Sequence, residues 1–314
     1  IYTLSLHDAL PILVISIKIG TRHSPLALWQ AREVEHRLQA LNLSTEVFPI
    51  ISTGDKNLSQ PLYSMGITGV FTKDLDLALL NKEIDIAVHS LKDVPTQLPE
   101  GIKVLAYLER DFPQDVLVRS TAAKDKPLQD LKIATSSLRR RAFWAKQFSN
   151  TSFVDIRGNV NTRLQKIEDG LADATLFSLA GIKRLNLNIT YEELPFMISA
   201  PSQGVVVVVG RDGDNDEVNN RVKEINHLNT QYCVEVERDF LQTLEGGCTA
   251  PIGAIADIQG SEMVFKGRLC SLDGKKCIEI NEKFSFSVNQ KYGKILAEQV
   301  LRQGGEEIMK SLKL

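Results

Sequence analysis

Several common signals of function are missing from this 314-residue sequence, and each absence excludes a class of binding site or partner. No CxxC pair occurs and the five histidines lack metal-ligand spacing, so we expect no structural zinc and no other metal site. A Walker A motif and a GxGxxG after a strand are both absent, which argues against a nucleotide phosphate site. The apolar runs at 10–19 and 205–209 are too short to span a bilayer, so we expect no membrane partner.

A strong charge of either sign is also missing. The 37 Lys and Arg residues against 39 Asp and Glu residues give a net charge of −2. A balanced chain has no global field to attract nucleic acid, which we exclude as a partner, and any anion site must be built locally. The contents of 43% hydrophobic and 24% charged residues are ordinary for a globular protein, and the length suits two or three domains.

The first twelve residues match no targeting signal. They lack a starting methionine and a basic region, and Pro11 interrupts them. A secretory signal peptide is therefore a poor fit, and we predict that residues 1–12 are an extension foreign to the fold. We expect the protein to be cytoplasmic.

Strand and helix patterns alternate through the first two thirds of the chain. The predicted strands are 13–19, 46–52, 84–89, 116–119, 131–135, 153–156, 173–177 and 205–209. Helices are predicted over 72–81, from Ser24 with Pro25 at its first position, and from Ser136 or Ser137. Such alternation favours α/β domains with largely parallel sheets, and the run 205–209 is a buried strand that can return the chain to the first sheet.

The last third of the sequence has a different character. Helices are predicted over 216–228, 231–244 and 289–302, and mostly antiparallel strands over 252–258, 263–269 and 276–286. This pattern indicates a small α+β domain. If Asp273 and Gly274 form a two-residue hairpin turn, Cys270 and Cys277 lie opposite each other. We expect this pair to be reduced, because disulfides are rare in the cytosol.

Basic residues follow the predicted strands at loop-to-helix junctions. They are Arg22, Lys92, Arg139, Arg140, Arg157, Arg163 and Arg184. Because ligands bind beyond the carboxyl ends of strands in open α/β sheets, these cations would converge if two domains face each other. Arginine binds carboxylate and phosphate bidentately, and with no phosphate motif present the pattern favours a polycarboxylate ligand. Asp93, beside Lys92, is a candidate proton carrier, although such a pair is also common on solvated surfaces.

A glycine-rich loop at 244–253 contains a further cysteine, Cys248. Gly246, Gly247 and Pro251 favour a turn there, which places Cys248 outside helices and strands. From the residues alone, this thiol is a nucleophile, a metal ligand, a covalent anchor or a small buried hydrophobe.

Six segments in order resemble the motifs of one enzyme family. They are residues 21–30, 87–95, 135–140, 157–160, 180–185 and 245–248, and they extend over almost the whole chain. Their sequences are similar to those of the hydroxymethylbilane synthase family, also called porphobilinogen deaminases. The resemblance implies a transferase of haem and tetrapyrrole biosynthesis, which joins four porphobilinogen molecules head to tail with loss of ammonia and releases hydroxymethylbilane.

The resemblance also implies an architecture. Two α/β lobes similar to those of periplasmic solute-binding proteins would be followed by a smaller α+β domain. The implied boundaries are 13–108 with 205–222 for the first lobe, 109–204 for the second and 223–314 for the third domain. A monomer is expected. A two-lobed binding protein for a polycarboxylate is the alternative, against which Cys248 and the missing secretory signal argue.

Roles for individual residues follow from the resemblance. A dipyrromethane cofactor would be attached by a thioether to Cys248, with Asp93 as the catalytic carboxylate. The expected cofactor-binding residues are Cys248, Lys92, Asp93, Thr135, Ser137, Arg139 and Arg140. The expected substrate-binding residues are Arg22, Ser24, Phe71, Arg157, Arg163, Arg184 and Gln203.

The sequence departs from the family pattern at a few places. In the loop 54–69, Ser64 and Thr68 replace usual lysines, and Ala134 replaces a usual glycine. The segments 111–115 and 205–209 also differ, through the loss of a common basic position and of a usual alanine. None of these changes involves the main cationic set or Asp93.

Overall fold

Three β-sheets organise the residues described by the computed structural model, which are 16–51, 71–213, 216–244, 250–287 and 290–312. The strands are β1 (Ser16–Arg22), β2 (Ser44–Ile50), β3 (Ile86–Ser90), β4 (Ile102–Tyr107), β5 (Asp115–Arg119), β6 (Ile133–Ala134), β7 (Phe153–Val154), β8 (Ala174–Ser178), β9 (Glu192–Glu193), β10 (Val206–Arg211), β11 (Ile252–Gln259), β12 (Glu262–Cys270) and β13 (Cys277–Ser285). The helices are α1 (Pro25–Gln39), α2 (Lys73–Leu80), α3 (Leu138–Gln147), α4 (Val160–Glu168), α5 (Leu179–Arg184), α6 (Asp216–Lys223), α7 (Leu228–Thr243), α8 (Tyr292–Val300) and α9 (Glu306–Leu312). No helix among these residues has the length and apolarity needed to cross a membrane.

Each of the first two sheets, with the helices packed on it, forms a lobe. Lobe 1 has the strand order β2-β1-β3-β10-β4, and lobe 2 has the order β7-β6-β8-β5-β9. The third sheet is the meander β11-β12-β13, which packs with α7 and α8 into a third domain. This arrangement is two α/β lobes followed by a smaller α+β domain, the predicted fold class. The predicted return of the chain to the first sheet is confirmed by β10.

Local capping explains where the first helices begin. The Ser24 side chain accepts a hydrogen bond from the Ala27 amide at 3.4 Å, and Pro25 occupies the first turn, as predicted. Ser137 caps α3 in the same way by accepting from the Arg140 amide. In both cases, a short polar side chain before an apolar helical pattern correctly predicted where the helix begins.

The expectation of largely parallel sheets was wrong in part. In lobe 1, β1 is parallel to β2 and β3, but β10 is antiparallel to both β3 and β4. In lobe 2, β5 is antiparallel to β8. The strands that reverse direction are the ones next to the crossings between the lobes. These strands enter their sheets at the opposite edge from the parallel strands. The sequence of a single strand does not show its direction relative to its neighbours.

The third domain also differs from prediction in two details. The predicted helix 289–302 ends at Val300, and a turn at Leu301–Gly305 leads into a further helix, α9. Gly304 has φ of 105° in that turn, a conformation that glycine adopts without strain. The expectation of a reduced Cys270–Cys277 pair was wrong, because the structure contains a disulfide there. The two residues are direct partners across β12 and β13, and Cys270 is fully buried against the core of lobe 2.

One buried carboxylate joins all three parts of the molecule. Glu237 of α7 is fully buried and accepts hydrogen bonds from Arg110 at 2.6 Å, from the Ser202 amide at 2.6 Å and from the Ala256 amide at 2.7 Å. Arg110 lies on the crossing into lobe 2, Ser202 lies on the crossing back, and Ala256 belongs to β11. Glu237 therefore holds both crossings against the third domain.

Replacing Glu237 by Ala is expected to lower the free energy of unfolding by about 3–5 kcal/mol, because Arg110 would be left as a buried charge without its partner. Chemical denaturation monitored by circular dichroism measures this change. Glu235→Ala, on the exposed face of the same helix, serves as the matched control and is expected to change stability by less than about 0.5 kcal/mol. Equal effects of the two substitutions would contradict the role assigned to Glu237.

Candidate active site

The end of β3 brings Lys92 and Asp93 to the edge of the lobe 1 sheet. Leu91 is fully buried and its amide donates to the Val205 carbonyl at 2.9 Å, which fixes the short 3₁₀ turn Leu91–Asp93. Lys92 and Asp93 follow on that turn and are partly buried. The Lys92 Nζ donates to Gln203 Oε1 at 3.4 Å, so the turn is connected to the chain that returns from lobe 2.

The start of α3 brings two arginines to the facing edge of lobe 2. Arg139 and Arg140 lie in the first turn of the helix and are almost fully buried. Just before them, the Ser137 amide donates to Thr135 Oγ1 at 3.2 Å, which holds the turn that leads into α3. Cations at a helix N-terminus are unfavourable unless an anion lies beside them. A basic first turn of this kind is therefore stable when an anion lies next to it.

That anion is a carboxylate of the protein itself. Asp115, at the start of β5, accepts from Arg139 Nη1 at 2.5 Å and from Arg140 Nη2 at 2.7 Å. Burial would raise the pKa of Asp115, but Arg139 and Arg140 outweigh burial and hold this pKa well below its usual range. Asp115 also accepts from the Gln203 amide at 3.1 Å. Sequence reasoning missed Asp115, and the only signal available was an acidic residue just before a short apolar strand.

A further cation of lobe 2 joins this group. Arg163 Nη2 donates to the Leu176 carbonyl at 2.7 Å, and Arg140 Nη1 donates to the same carbonyl at 2.7 Å. The Arg163 guanidinium lies 4.2 Å from the centre of the Phe177 ring, and its buried Nε has no hydrogen-bond partner among the described residues. Burial and then Arg140 lower the pKa of Arg163 to about 9, so it is charged near neutral pH.

The remaining candidates of lobe 1 lie at the end of β1. The Arg22 guanidinium is 4.1 Å from the centre of the Phe71 ring, in cation–π geometry, and Ser24 caps α1 two residues later. His89 is buried nearby on β3, where burial and then the charge of Arg22 lower its pKa to about 4. Arg22 and Phe71 are thus held together at a strand end of lobe 1.

Two further predicted substrate-binding arginines, Arg184 and Arg157, belong to lobe 2. Arg184 Nε donates to Asp111 at 2.6 Å and Arg184 Nη2 donates to the Gly204 carbonyl at 2.7 Å, so this residue lies at the crossings between the lobes. The Arg157 carbonyl accepts from Lys166 Nζ at 3.0 Å at the start of α4. Their contact with a substrate stays a prediction.

The proposed anchor, Cys248, lies outside the described residues, as does the loop 54–69. The chain that follows the cysteine loop is described, and it runs beside the arginine pair. At Gly253 a Cβ atom would come within 2.8 Å of the Ile198 carbonyl oxygen, so only glycine permits this approach. The same carbonyl accepts from Arg139 Nη1 at 2.6 Å. The Ile198 carbonyl therefore lies between the start of β11 and Arg139 and contacts both.

The side chains of this group fit a ligand with several carboxylates. Lys92, Arg139, Arg140 and Arg163 outnumber the two carboxylates, Asp93 and Asp115. The unpartnered Arg163 Nε is a donor available to an anion. Among the described residues, no cluster of three or more His, Cys, Asp or Glu side chains is able to hold a metal ion. The donor set therefore suits the acetate and propionate groups of a dipyrromethane.

Fold and site together define a class of protein with two lobes. Basic groups from both lobes lie around the Asp115 carboxylate and suit a polyanionic ligand. Residues 17–219 match the family model "Porphobilinogen deaminase, dipyromethane cofactor binding domain", and residues 231–302 match "Porphobilinogen deaminase, C-terminal domain". The chain belongs to the porphobilinogen deaminase family. It is a transferase of tetrapyrrole biosynthesis with a dipyrromethane cofactor, and the alternative of a solute-binding protein is not favoured.

Curated relatives agree over most of the length. The chain is 40% identical over 308 residues to a porphobilinogen deaminase from Chlorobium phaeovibrioides, which covers 94% of this chain and 97% of the relative. It is 40% identical over 306 residues to one from Nostoc sp., covering 95% of this chain and 94% of the relative. A probable extracellular amino-acid-binding protein from Bacillus subtilis aligns with a TM-score of 0.42 at 13% identity, over 68% of this chain and 90% of that one. That structural likeness is too weak to support an argument.

Lys92 makes the site sensitive to alkaline pH. Burial is the main reason that its pKa is lowered from 10.5 to about 8; Arg140 and Arg139 lower it further, while Asp93 and Asp115 raise it. Lys92 is thus charged below about pH 8 and loses its charge as pH rises through that value. A charge-assisted hydrogen bond contributes about 1.5–3 kcal/mol, and the acetate and propionate groups of porphobilinogen match those of the cofactor rings. We therefore expect protein without the cofactor to bind porphobilinogen about tenfold or more weakly at pH 9.5 than at pH 7.

This pH dependence is measured most simply in a Cys248→Ala background, in which the covalent adduct cannot form and only binding is observed. Adding Lys92→Arg supplies a side chain that stays charged over this range, so the fall in affinity above pH 8 should disappear. An unchanged fall in the Lys92→Arg protein would show that another group is responsible.

Proposed function

We propose that this chain joins four porphobilinogen molecules head to tail onto a dipyrromethane bound to Cys248, releases ammonia at each addition and finally releases hydroxymethylbilane. The strongest support is a set of hydrogen bonds that connects basic groups of the two lobes. Lys92 of lobe 1 donates to Gln203, and Gln203 donates to Asp115. Asp115 in turn binds Arg139 and Arg140 of lobe 2. A site with cations from both lobes suits a chain of pyrroles that carries acidic side groups along its length.

The cofactor is held by the group around α3 in this proposal. Arg139, Arg140 and Lys92 would bind its carboxylates, and Thr135 and Ser137 would shape the turn that presents the two arginines. When bound, the dipyrromethane supplies a nucleophilic pyrrole carbon for the first addition. A thioether at Cys248 keeps the growing product attached between additions, which a site of non-covalent contacts does not ensure.

The substrate would be held by a second group of residues in this proposal. Arg22, Phe71 and Ser24 of lobe 1 would contact one ring, which the cation–π contact of Arg22 with Phe71 supports, and Arg163 would donate from its unpartnered Nε to a carboxylate. The list of proposed substrate contacts is completed by Arg157, Arg184 and Gln203. Guanidinium groups that bind ring carboxylates would fix the ring orientation, and such positioning is a large part of the catalysis of bimolecular reactions.

Asp93 is the proposed proton carrier. In its protonated form Asp93 would give a proton to the aminomethyl nitrogen of porphobilinogen, which leaves as ammonia when the methylene carbon bonds to the next ring, and Asp93 becomes a carboxylate. The carboxylate would then receive the proton lost from the pyrrole carbon that formed the new bond, which restores the protonated form of Asp93. A carboxylate also stabilises the positive charge that develops on a pyrrole ring when the amine leaves.

The proposal is tested by supplying purified protein with porphobilinogen. We expect release of one ammonia per porphobilinogen consumed and formation of a linear tetrapyrrole, both followed by mass spectrometry and an ammonia assay. Binding of porphobilinogen without ammonia release would refute the proposal. We further propose a monomer in the cytoplasm, which sedimentation of the full chain and fractionation of the source cells would test.

A further inference from the structure

A buried carboxylate outside the predicted set connects the basic groups of the two lobes. Asp115 is 1% exposed, and nothing in its own lobe other than two arginines balances its charge. Its Oδ2 accepts from Arg139 Nη1 at 2.5 Å, while its Oδ1 accepts from Arg140 Nε at 3.1 Å and Nη2 at 2.7 Å. The carboxylate thus binds one edge of the Arg140 guanidinium and one end of the Arg139 guanidinium.

These contacts determine which donors of the arginines face away from Asp115. Arg140 uses its Nε and one Nη2 hydrogen for Asp115, and its Nη1 donates to the Leu176 carbonyl. Arg139 uses Nη1 for Asp115 and for the Ile198 carbonyl. Since a guanidinium has five donors in a fixed fork, binding one edge to the protein fixes the direction of the remaining N–H groups.

The same carboxylate reaches the other lobe through one amide. Gln203 Nε2 donates to Asp115 Oδ1 at 3.1 Å and to the Pro113 carbonyl at 2.7 Å. Those two bonds determine the orientation of the amide, so Gln203 Oε1 faces Lys92 Nζ at 3.4 Å. A chain of hydrogen bonds therefore runs from Asp115 in β5 of lobe 2, through Gln203, to Lys92 in the turn after β3 of lobe 1.

We propose that Asp115 is a positioning residue, which orients Arg139 and Arg140 directly and Lys92 through Gln203, so that the basic groups of both lobes present one continuous surface to the carboxylates of the ligand. This inference rests on the proposed function for the identity of the ligand. It concerns a residue that touches neither substrate nor cofactor in the proposal. Its charge also acts on Lys92, whose other charged neighbours are Asp93, Arg139 and Arg140.

Asp115→Asn keeps the shape of the side chain and removes its charge. We expect affinity for porphobilinogen at pH 7, measured in the Cys248→Ala background, to fall about 10- to 100-fold, because a small misplacement of binding groups is costly. We also expect the pH at which Lys92 loses its proton to move down by about half a unit or more, since an attractive charge is lost. Labelling of Lys92 with an amine-reactive reagent, read by peptide mass spectrometry across pH, measures that midpoint without any ligand.

Two further variants separate positioning from general loss of stability. Asp173→Asn removes another carboxylate of lobe 2, which pairs with Lys126 at 2.7 Å, and is expected to leave both the affinity and the Lys92 midpoint unchanged. Asp115→Glu restores the charge at a different length, so we expect it to restore the Lys92 midpoint more fully than the affinity.

A folded Asp115→Asn protein with wild-type affinity, or with a wild-type Lys92 midpoint, would overturn the inference. Failure of the proposed function gives a different result: the wild-type protein would then carry no adduct on Cys248 and release no ammonia from porphobilinogen. The two outcomes are independent, because the Lys92 midpoint is read on protein without substrate.

Discussion

Replacing Asp93 by Asn is expected to lower turnover of porphobilinogen by about 10²- to 10⁴-fold, the range lost when a proton-transferring side chain is removed. The substitution is nearly isosteric, and the turn that carries it is held by buried Leu91 and its bond to Val205, so the fold should persist. The basic groups that bind the cofactor remain, and the covalent adduct should therefore persist as well. Steady-state ammonia release and intact mass measure the two properties separately.

Asp169→Asn provides the matched control for this experiment. Asp169 is an exposed carboxylate at the end of α4 and accepts from Gln165 at 2.8 Å. It should leave turnover within about twofold of the wild-type value, since surface substitutions away from a site change little. Near-normal turnover by the Asp93→Asn protein would show that Asp93 is not the catalytic proton carrier.

Replacing Cys248 by Ala is expected to abolish both the covalent adduct and the formation of tetrapyrrole. Without a thioether, intermediates dissociate between additions, so even protein that binds porphobilinogen should complete no chain. The intact mass of the purified variant should equal the mass of the unmodified polypeptide. Ammonia release should fall to the background rate.

Cys233→Ala is the matched control for the anchor. Cys233 is buried in α7 and, among the described residues, is the free cysteine. Burial is the main reason that its pKa is raised to about 12, so its thiol is protonated and unreactive near neutral pH. The Cys233→Ala protein should keep the adduct and its activity. Adduct on a Cys248→Ala protein would show that another residue anchors the cofactor.

Features set by neighbours in sequence were predicted well. The start of α1 depends on Ser24 and Pro25, and the start of α3 depends on Ser137; each is a local hydrogen bond or a fixed φ. The position of basic residues after predicted strands identified the cations, and the structure brings Lys92, Arg139 and Arg140 together as the pattern suggested. These parts of the site follow from the rule that strand ends of an open α/β sheet lie at one edge.

Features set by distant neighbours were missed. Asp115 precedes Arg139 by 24 residues, and its contact with that arginine depends on the order of strands in the lobe 2 sheet, which a single sequence does not show. The antiparallel direction of β10 depends on the side from which the chain re-enters lobe 1. The disulfide between Cys270 and Cys277 was missed for another reason: their opposition across the hairpin was predicted, but the expectation of a reduced pair rested on the expected compartment and not on geometry.

The most direct test of the account is a tryptic digest of the full-length protein, purified from cells that supply porphobilinogen. Cleavage after Arg238 and Lys266 releases residues 239–266, a peptide whose single cysteine is Cys248. We expect this peptide to carry the added mass of two linked pyrrole units, while the peptide 224–238 with Cys233 should be unmodified. An unmodified 239–266 peptide from such cells would contradict the claim that the primer is tethered through Cys248.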